Sequence, residues 1–348
     1  MTDNDRRYDF EAVFEASAAL LAKAGLSEAR ARNAAQTLIE ADLMGFTTHG
    51  LKRLPDNVTW LTSGEAKATG DPIVLSDAPV VFNWDGDGLS GIWLLRDAVR
   101  EAAKRAKSFG TAAGVVSRCQ HIAALAAYLP YLAEQGLAGT ITACTPSEPV
   151  VCGPDTATPV VSNNPIAFVA PASDGPFLFD VSMATTSIGA IDKARQKGEP
   201  MAFECLRRQD DGVVTDDPNA FYDTPPAAIL PVGGASHGYK GFCMSLMAEV
   251  LSSGLSNYGR ADLSDGEMNA AFIQVFDPEA FGARAAFEQE IDSLKQTLRA
   301  GGVERIPGER AWRLRTDQMQ NGLRLADYIV DAIKPVANAH SVPFPEGR

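Results

Sequence analysis

The sequence lacks the segments that mark several large protein classes. It contains no run of about 18 apolar residues, so it predicts no membrane-spanning helix. The five cysteines are widely spaced and form no Cys-x-x-Cys pair, which argues against structural zinc or a disulfide framework and favours reduced thiols. The polar start, MTDNDRRYDF, lacks the apolar core of a signal peptide. These absences predict a cytoplasmic protein.

Basic residues are also scarce, with 31 lysines and arginines against 44 acidic residues and a formal net charge of −13. Binding to nucleic acid needs clustered basic side chains, so a nucleic-acid partner is not expected. No spacing of histidines, cysteines and acids is typical of a metal site. With 348 residues, 45% of them hydrophobic, the chain is near the upper limit for one core, and two lobes are expected.

Hydrophobic periodicity predicts helices at both ends of the chain and strands in the middle. Residues 9–45 indicate two helices, the second with Ser27 as its N-cap. From Gly139 to Phe179, short β-like runs alternate with proline and glycine and lack a regular βαβ rhythm. A helical lobe built from both chain ends is therefore predicted, with a strand-rich lobe inserted between them. Later helices are predicted at 183–197, 240–254, about 284–300 and Leu323–Ile333, the last one stopped by Pro335.

Gly86, Gly88 and Gly91 form a literal GxGxxG, between the strand-like VVFNW and a helix. A Rossmann dinucleotide site also needs an acidic residue at the end of the next strand, to bind the ribose hydroxyls. That strand ends instead in Ser117 and Arg118, and Arg118 would suit only a 2′-phosphate. A glycine-rich turn before a helix is the better interpretation, and the Rossmann alternative is rejected.

A first candidate site is TTHGLKR, just after the second predicted helix. The His49 imidazole could exchange a proton near neutral pH, and the Thr48 hydroxyl could fix its tautomer. Arg53 could bind a carboxylate through two parallel hydrogen bonds. The segment therefore suits a 2-oxo acid, although a helix end with a packed histidine would give the same spacing.

The other histidines have less distinctive surroundings. His121 is predicted to open a helix after SRCQ, where it could donate a hydrogen bond as a neutral imidazole or contact a phosphate, or merely cap the helix. His237 is predicted in a glycine-rich turn and His340 in a tail, both solvated. Lys240, at the predicted start of the following helix, could meet a phosphate.

Two further segments present polar groups at strand ends. Asn163, Asn164 and Pro165 interrupt a strand, which could expose amide groups to a ligand or could form a simple turn. Asp180 ends the strand PFLFD, where its carboxylate could bind ribose or orient a histidine, or could cap the next helix.

Taken in order, seven segments resemble the malate/L-lactate dehydrogenase family of non-Rossmann nicotinamide enzymes. That family includes ureidoglycolate and sulfolactate dehydrogenases and the piperideine-2-carboxylate/pyrroline-2-carboxylate reductases. The resemblance covers nearly the whole chain, and seven motifs in the correct order are very hard to obtain by accident. The segments are EADLMGFTTHGLKRLP, SRCQHIAALAAY, SNNPIAF, FDVSMATTSIGAIDKARQKGEPM, DDGVVTDDP, LPVGGASHGYKGF and IPGERAWRLR.

The resemblance implies an α/β, non-Rossmann fold in which a mostly antiparallel cofactor-binding sheet accompanies a helical lobe from both termini. Residues 1–125 with 286–348 would form the helical, substrate-binding and dimerisation domain, and 126–285 the cofactor-binding domain. It further implies NAD or NADP as cofactor, a small carboxylate substrate and a homodimer. The reaction would move a hydride to or from the α-carbon of a 2-oxo or 2-hydroxy acid.

The resemblance also assigns roles to residues. His49 would be the proton donor, supported by Thr48, while Arg53 would bind the substrate carboxylate, with His121 and Asn163 close to the substrate. The positions that would contact the cofactor are His121, Ile122, Ala123, Asn164, Pro165, Asp180, Val181, Ser182, Lys240, Gly241, Gly308, Glu309 and Arg310.

The sequence departs from the family pattern at several of these positions. Met183-Ala184 replaces a Thr-Ser pair, Ile122-Ala123 replaces an aromatic-glycine pair, and Ala190 stands where a charged residue could complete a relay with the histidine. Asp192 is the nearest replacement and is taken as the third catalytic candidate. Two alternatives therefore stay open: a reductase of a cyclic imino acid, and a nucleotide-binding relative without activity.

Overall fold

The computed structural model describes residues 5–262 and 268–348. Its α-helices are α1 (Phe10–Lys23), α2 (Glu28–Leu43), α3 (Leu54–Ser63), α4 (Gly91–Phe109), α5 (Leu129–Glu134), α6 (Ile188–Lys197), α7 (Gly234–Glu249), α8 (Arg284–Ala300), α9 (Glu309–Asn321) and α10 (Asp327–Ala339). Its strands are β1 (Asp5–Tyr8), β2 (Ile73–Ala78), β3 (Val81–Asp85), β4 (Thr111–Cys119), β5 (Ala138–Cys144), β6 (Val151–Cys152), β7 (Pro159–Val161), β8 (Ile166–Ala170), β9 (Phe177–Val181), β10 (Leu206–Arg207), β11 (Val214–Thr215), β12 (Ala228–Ile229), β13 (Asn269–Phe276) and β14 (Leu323–Ala326).

The two helices predicted within residues 9–45 are confirmed as α1 and α2. Apolar side chains at helical spacing, including Val13 and Leu20, are completely buried. The Asp9 carboxylate caps α1 by accepting a hydrogen bond from the Ala12 N–H at 2.9 Å. Ser27 is the N-cap of α2, as predicted, but its side chain makes no capping hydrogen bond.

The chain divides into two units by its internal contacts. The first comprises Met1–Ile141, Ala167–Asp180 and Ile273–Arg348, so it contains both chain ends. The second comprises Thr142–Ile166 and Val181–Phe272. Domain boundaries are predicted after residues 125 and 285, on the basis of expected cofactor and dimer contacts. The division into units by internal contacts does not test those contacts, so these boundaries stay a prediction.

Two larger sheets organise the strands. The seven-stranded sheet has the order β2-β3-β4-β13-β5-β8-β9. The five-stranded sheet, in the second unit, has the order β11-β10-β12-β6-β7. Among the strands described in this smaller sheet, three pairs are antiparallel and the β12–β6 pair is parallel. The α/β, non-Rossmann fold is thus confirmed, including a mostly antiparallel sheet.

Residues 139–180 do not form one sheet, contrary to the expectation. β5, β8 and β9 belong to the seven-stranded sheet, whereas β6 and β7 belong to the five-stranded one. The physical reason is burial: Val151 and Val161, on β6 and β7, pack with Ile191 and Leu206 in a separate hydrophobic core of the second unit.

The end of the chain also differs from the prediction of one helix over Leu323–Ile333. Residues 323–326 form β14, which pairs antiparallel with β1. Leu323 and Leu325 are buried while Arg324 is half-buried between them, which is the period of a strand. Pro335 does not stop the last helix either, because α10 continues through it to Ala339. His340 caps that helix, and its Nδ1 lies 2.9 Å from the Val336 carbonyl oxygen.

The GDGLSG turn joins β3 to α4, and its backbone is satisfied within the protein. The N–H groups of Gly86 and Gly88 donate to the carbonyl oxygens of Ser117 and Arg118, each at 2.7 Å. A Cβ on Gly91 would lie 2.0 Å from the carbonyl oxygen of Gln120, so protein backbone fills the space beside this glycine. β3 and β4 are parallel, but these amides are not available to a pyrophosphate. These contacts support the rejection of a Rossmann site at this turn.

Arg118 is also engaged by the protein. Its guanidinium forms ion pairs with Asp85 at 2.7 Å and with Asp87 at 3.2 Å. Arg118 is therefore held by two carboxylates at the position where a 2′-phosphate would have needed it.

Candidate active site

The segment around His49 lies between α2 and α3 in the first unit. Two 3₁₀ turns, Thr47–His49 and Leu51–Arg53, meet at Gly50 and lead directly into α3. α3 can begin there because Pro55 stands in its first turn, where a backbone N–H is not needed. The sequence thus brings His49 and Arg53 onto adjacent turns of one short segment.

His49 and His121 lie side by side, although 72 positions separate their numbers. Their ring centroids are 5.6 Å apart and their planes differ by 19°. Trp60, from α3, also lies beside His121, with ring centroids 5.9 Å apart. The Thr48 hydroxyl oxygen is 2.8 Å from His49 Nδ1. The structure therefore brings Thr48, His49 and His121 together in the first unit.

His121 does not open a helix, contrary to the prediction. Residues 121–124 are irregular, and the next helical turn is the 3₁₀ segment Leu125–Tyr128. His121 Nδ1 accepts a hydrogen bond from the Ala123 N–H at 3.1 Å. An accepting nitrogen carries no proton, so neutral His121 bears its proton on Nε2. Ala123 adopts a left-handed φ of 59° at this turn, where the family pattern has glycine.

Both histidines are neutral at physiological pH. Burial, followed by the positive charges of Arg53 and Lys52, lowers the pKa of His49 to about 4. Burial, followed by His49 and Arg53, lowers the pKa of His121 to about 3. A helix N-terminus is therefore not what keeps His121 neutral; its apolar surroundings and its neighbours do.

The Arg53 guanidinium is anchored on one side only. Its Nη1 donates to Asp56 Oδ2 at 3.0 Å, an i, i+3 ion pair. Its Nε is buried, and no described residue accepts a hydrogen bond from it. Because a buried N–H without a partner is costly, this edge of the guanidinium is suited to a ligand oxygen.

Two carboxyl groups, those of buried Asp42 and half-buried Asp180, hold the backbone around the histidines. Asp42, near the end of α2, accepts a hydrogen bond from the Leu51 N–H at 2.6 Å, and burial raises its pKa to about 7. Asp180, on β9, accepts from the Ala126 N–H at 2.8 Å, and burial raises its pKa to about 6. Asp180 therefore fixes the segment that follows His121 and is not the N-cap of α6, whose N-cap is Ser187.

Residues 308–310 lie at the start of α9 in the same unit. Gly308 has a φ of +92°, and a Cβ there would lie 2.7 Å from the Leu178 backbone nitrogen, so only glycine fits. The Glu309 carboxylate pairs with Arg299. Arg310 is exposed. These residues are predicted to contact the cofactor. In the structure, Gly308 packs against Leu178 and Glu309 forms an ion pair with Arg299.

In the second unit, the two asparagines of SNNPIAF have different surroundings. Asn164 is fully buried with a φ of 42°, and its amide nitrogen donates to Ser245 and to Glu249 Oε1 at 3.0 Å. Ser162 donates to its amide oxygen. Asn163 Oδ1, by contrast, is buried and accepts no hydrogen bond from a described residue. Asn163 thus offers an acceptor to a ligand, while the Asn164 side chain fixes the turn.

Lys240 and His237 lie within α7, not at its start and not in a turn. The helix begins at Gly234, after Gly233 with a left-handed φ of 101°. Both side chains are exposed, whereas Gly241 is buried against the Val232 carbonyl oxygen. The prediction that the helix begins near Lys240 is wrong because Ser236 and the glycines of GGASHGYKG are tolerated in its first turns.

The positions that depart from the family pattern have local explanations. Met183 and Ala184 are buried, so apolar side chains suit them. Asp192, on α6, accepts a hydrogen bond from the Tyr222 hydroxyl, whose ring also stacks with Arg195. Its carboxylate is therefore engaged within the second unit. Val181 is exposed and Ser182 half-buried, immediately before this stretch.

Asp42 and Trp60 were not among the residues singled out from the sequence. A signal for Asp42 exists: it follows Leu38 and Ala35 at spacings of four and seven, so it lies on the buried face of α2. No comparable pattern marks Trp60, because its neighbour His121 is distant in sequence.

Comparisons with known proteins extend over nearly the full length. The chain is 26% identical over 349 residues to malate dehydrogenase from Pyrococcus horikoshii, with 96% of each chain covered. It is 28% identical over 326 residues to the Δ1-pyrroline-2-carboxylate/Δ1-piperideine-2-carboxylate reductase of Pseudomonas putida, covering 91% of this chain and 92% of that one.

Solved structures agree with these relatives. The fold matches malate dehydrogenase from Entamoeba histolytica with a TM-score of 0.88 and 22% identity, over 98% of this chain and 100% of that one. It matches Δ1-piperideine-2-carboxylate reductase from Pseudomonas syringae with a TM-score of 0.84 and 26% identity, over 95% and 100%.

The family model described as malate/L-lactate dehydrogenase matches residues 8–334. Over the described residues, no helix has the length and apolar character needed to cross a bilayer, and no group of three or more potential ligands could hold a metal. The predictions of an oxidoreductase that uses NAD or NADP are confirmed. The chain belongs to the malate/L-lactate dehydrogenase family.

Proposed function

We propose that this enzyme transfers a hydride to or from the α-carbon of a small 2-oxo or 2-hydroxy acid, with His49 as proton donor and acceptor and Arg53 as carboxylate ligand. The observation that carries the proposal is the state of Arg53. Its Nη1 is fixed by Asp56 while its buried Nε has no partner among the described residues, on the turn next to a neutral histidine pair. An oriented guanidinium edge beside neutral imidazoles suits a carboxylate with an adjacent carbonyl.

The two histidines would have different roles in proton transfer. His121 has its tautomer fixed, because the Ala123 N–H occupies Nδ1, so Nε2 can only donate a hydrogen bond. His49 faces the Thr48 hydroxyl, which can donate or accept. Rotation of that hydroxyl lets His49 carry its proton on either nitrogen, as a group that gives and takes protons requires.

In the reducing direction, the carbonyl carbon of the substrate gains a hydride and its π electron pair moves onto oxygen. His49, neutral in the free protein, takes up a proton from solvent and passes it to that oxygen, returning to neutral imidazole, while Arg53 holds the carboxylate and His121 Nε2–H donates a hydrogen bond. Reduced nicotinamide supplies the hydride. In the second unit, exposed Lys240 offers a cation to a cofactor phosphate. Asn163, predicted to lie near the substrate, offers a buried amide oxygen that has no partner among the described residues.

The remaining cofactor assignments stay proposals with different degrees of support. Asn164, Gly241 and Gly308 would act through backbone shape, since their surroundings are filled by protein. Asp180 would fix the segment Ile122–Ala126 instead of binding ribose. For Pro165, Val181, Ser182, Glu309 and Arg310, only the resemblance supports contact with the cofactor. Asp192 is the least supported catalytic candidate, since Tyr222 occupies its carboxylate.

A cyclic imino acid is the second candidate substrate, because it needs the same hydride donor and carboxylate ligand. The relatives that reduce Δ1-pyrroline-2-carboxylate and Δ1-piperideine-2-carboxylate favour it. The two substrate classes differ in the source of the proton, because a protonated imine already carries a proton on its nitrogen, whereas a 2-oxo acid must receive one from the enzyme. His49→Asn should therefore reduce turnover of a cyclic imine far less than turnover of a 2-oxo acid.

The test is oxidation of NADH and of NADPH by the purified enzyme with a panel of 2-oxo acids and cyclic imines. Turnover of at least one 2-oxo acid, lost in His49→Asn and in Arg53→Ala, is the expected result. Turnover of imines alone would favour the second candidate. Cofactor binding by a folded protein without turnover of any panel member would contradict the proposal and indicate a nucleotide-binding relative.

A homodimer in the cytoplasm is also proposed. α7 exposes apolar side chains on its surface, with Met244 at 46%, Met247 at 47% and the adjoining Val250 at 64% exposed. Such a patch is typical of a subunit interface. This patch lies outside residues 1–125 and 286–348, in which dimer contacts are predicted. Light scattering of Met247→Asp tests whether the patch is the interface. A monomeric variant would support this interface, and an unchanged dimer would exclude it. Cys119, Cys144, Cys152 and Cys205 are buried and form no disulfide among the described residues, which suits a reducing compartment.

A further inference from the structure

Asp42 contacts the centre of the segment that carries both His49 and Arg53. Its side chain is 1% exposed, near the C-terminal end of α2. Its Oδ2 accepts the Leu51 N–H at 2.6 Å, and Leu51 begins the turn that ends in Arg53. One carboxyl group thus binds the backbone between the two functional side chains.

The same carboxyl group lies against the bare Cα of Gly50. A Cβ on Gly50 would be 2.3 Å from Asp42 Oδ2 and 2.7 Å from Oδ1, far below any van der Waals contact. Gly50 has a φ of −93° and a ψ of −138°, outside the α and β regions, so its backbone conformation favours glycine. Asp42 adds a steric requirement for glycine, because its carboxyl lies where the two turns meet.

Stability alone is a poor reason for a carboxyl group at this position. Its Oδ1 is buried and accepts no hydrogen bond from any described residue. Burying an acid with one oxygen unsatisfied costs several kcal/mol on general grounds, and burial raises its pKa to about 7. An apolar side chain would pack α2 at lower cost, but it would leave the Leu51 N–H unpaired.

We propose that Asp42 is a positioning residue for the reaction, whose carboxyl fixes Gly50 and Leu51 and thereby sets the relative placement of His49 and Arg53. The inference rests on the proposed function of those two residues. Asp42 acts through the backbone and does not touch the substrate. Its removal should therefore affect binding of the carboxylate and the proton step together, since both depend on this one segment.

The first test compares Asp42→Ala with Asp42→Asn. Asp42→Ala should lower kcat about 10- to 100-fold and raise KM in a protein that still folds, because a shift of about 1 Å in the segment misaligns both groups. Asp42→Asn keeps an acceptor oxygen at the same reach, so kcat should stay within about threefold of wild type. Unchanged kcat and KM in Asp42→Ala, with only a lower Tm, would overturn the proposal.

Thr37→Val is the matched control on the same helix. Thr37 is fully buried, and its hydroxyl donates to the carbonyl oxygens of Asn33 and Ile92. Its replacement should lower Tm while leaving kcat and KM unchanged. An equal kinetic loss in Thr37→Val would mean that any weakening of α2 impairs the enzyme, and the specific role of Asp42 would fall.

The second test uses the contact with Gly50. Gly50→Ala forces a methyl group onto the Asp42 carboxyl, whereas Gly50→Ala with Asp42→Ala provides space for it. The loss of kcat/KM in the double variant should be well below the product of the two single losses. Multiplicative losses would show that the two residues act independently, against the proposal.

A third readout needs no substrate. The chain has four histidines, so the imidazole nitrogen resonances of His49 and His121 can be assigned by NMR. In Asp42→Ala the His49 resonances should shift, while those of exposed His237 should not. The two proposals can fail separately. Absence of turnover with every panel member would contradict the proposed function, whereas unshifted His49 resonances in Asp42→Ala would overturn the role of Asp42.

Discussion

Two glycine-containing turns of the first unit differ in what their hydrogen-bonding groups do. In the GDGLSG turn, the amides of Gly86 and Gly88 donate to backbone carbonyls, and Arg118 pairs with two carboxylates. In TTHGLKR, the Arg53 Nε remains buried without a partner among the described residues, and His49 lies beside a second neutral histidine. The first turn resembles a known nucleotide motif, but the amides of Gly86 and Gly88 and the Arg118 guanidinium are already engaged. Its buried Ser90 hydroxyl is left without a partner among the described residues.

The comparison shows why spacing of glycines is a weak indication of a site. A turn that satisfies itself stabilises the fold, whereas a ligand site keeps costly groups unpaired until the ligand arrives. In the first unit, an unpaired group beside neutral histidines, as at Arg53, is therefore a better guide to function than the spacing of glycines. Changes in TTHGLKR should alter kinetics, and changes in GDGLSG should alter stability.

The largest expected effect is that of His49→Asn. It should lower kcat for a 2-oxo acid by about 100- to 10,000-fold, because the proton for the reduced oxygen is lost, with little change in NAD(P)H affinity. His121→Asn should weaken cofactor binding more than the chemical step. Steady-state kinetics with cofactor titration distinguish the two, and His237→Asn is the exposed control. The reverse pattern would assign the proton to His121.

Gly91→Ala should affect stability instead. A methyl group there overlaps the Gln120 carbonyl oxygen, so the free energy of unfolding should fall by about 3 kcal/mol. Gly88→Ala, with only the Lys67 side chain nearby at 3.9 Å, should cost only the strain of its φ of +80°, about 1 kcal/mol. Urea denaturation measures both. Loss of NAD(P)H binding at unchanged stability would indicate a nucleotide site after all.

The pH dependence of stability should report the two partly buried histidines, His49 and His121. The folded-state pKa of His121 is lowered from 6.5 to about 3, so its neutral form contributes stability above pH 6.5, and that stability is lost as the pH falls towards 3. Between about pH 8 and about pH 4.5, wild type should lose about 2 kcal/mol more than His121→Gln. Urea denaturation at both pH values tests this, and equal losses would mean that His121 is solvated.

Arg53→Lys keeps the positive charge but loses the planar fork. KM for a 2-oxo acid should rise about 30-fold, on the order of 2 kcal/mol, with folding intact. Arg118→Lys, in the GDGLSG turn, is the matched control and should leave KM unchanged, since its partners are Asp85 and Asp87. An unchanged KM in Arg53→Lys would remove Arg53 from the site.

The smallest effect is expected at Ala123. Its φ of 59° is unfavourable for a residue with a Cβ, so Ala123→Gly should relieve strain of about 1 kcal/mol, partly offset by the greater freedom of glycine in the unfolded chain. The Nδ1 hydrogen bond of His121 would be retained, so kcat should not change. Thermal denaturation and kinetics check both points; a lower Tm would mean that the methyl group packs productively.

Local patterns allowed part of the fold to be predicted. α1, α2, α4 and α8 follow helical periodicity, and α4 ends at Gly110 with the left-handed φ expected of a C-terminal glycine. His49, Thr48 and Arg53 were found because they lie within six residues. A short segment can encode such features without help from distant residues.

Features that depend on distant partners were not predicted. The segment after His121 is not helical at first, because Tyr128 donates to the Ile122 carbonyl oxygen and Asp180 receives the Ala126 N–H. β14 forms only because β1 is available as a partner. The His49–His121 pair and the burial of Asp42 likewise follow from packing that no short pattern records.

The pairing of β1 with β14 has a consequence for biosynthesis. Arg7 on β1 donates to the carbonyl oxygen of Gly322, just before β14 and 315 positions away. At about 5 to 20 residues per second, a ribosome needs roughly 15 to 60 s to add the missing partner. During that interval the second unit has emerged completely, whereas the unit carrying His49 still awaits its final strand. The nascent chain should thus complete the unit that carries His49 after the second unit.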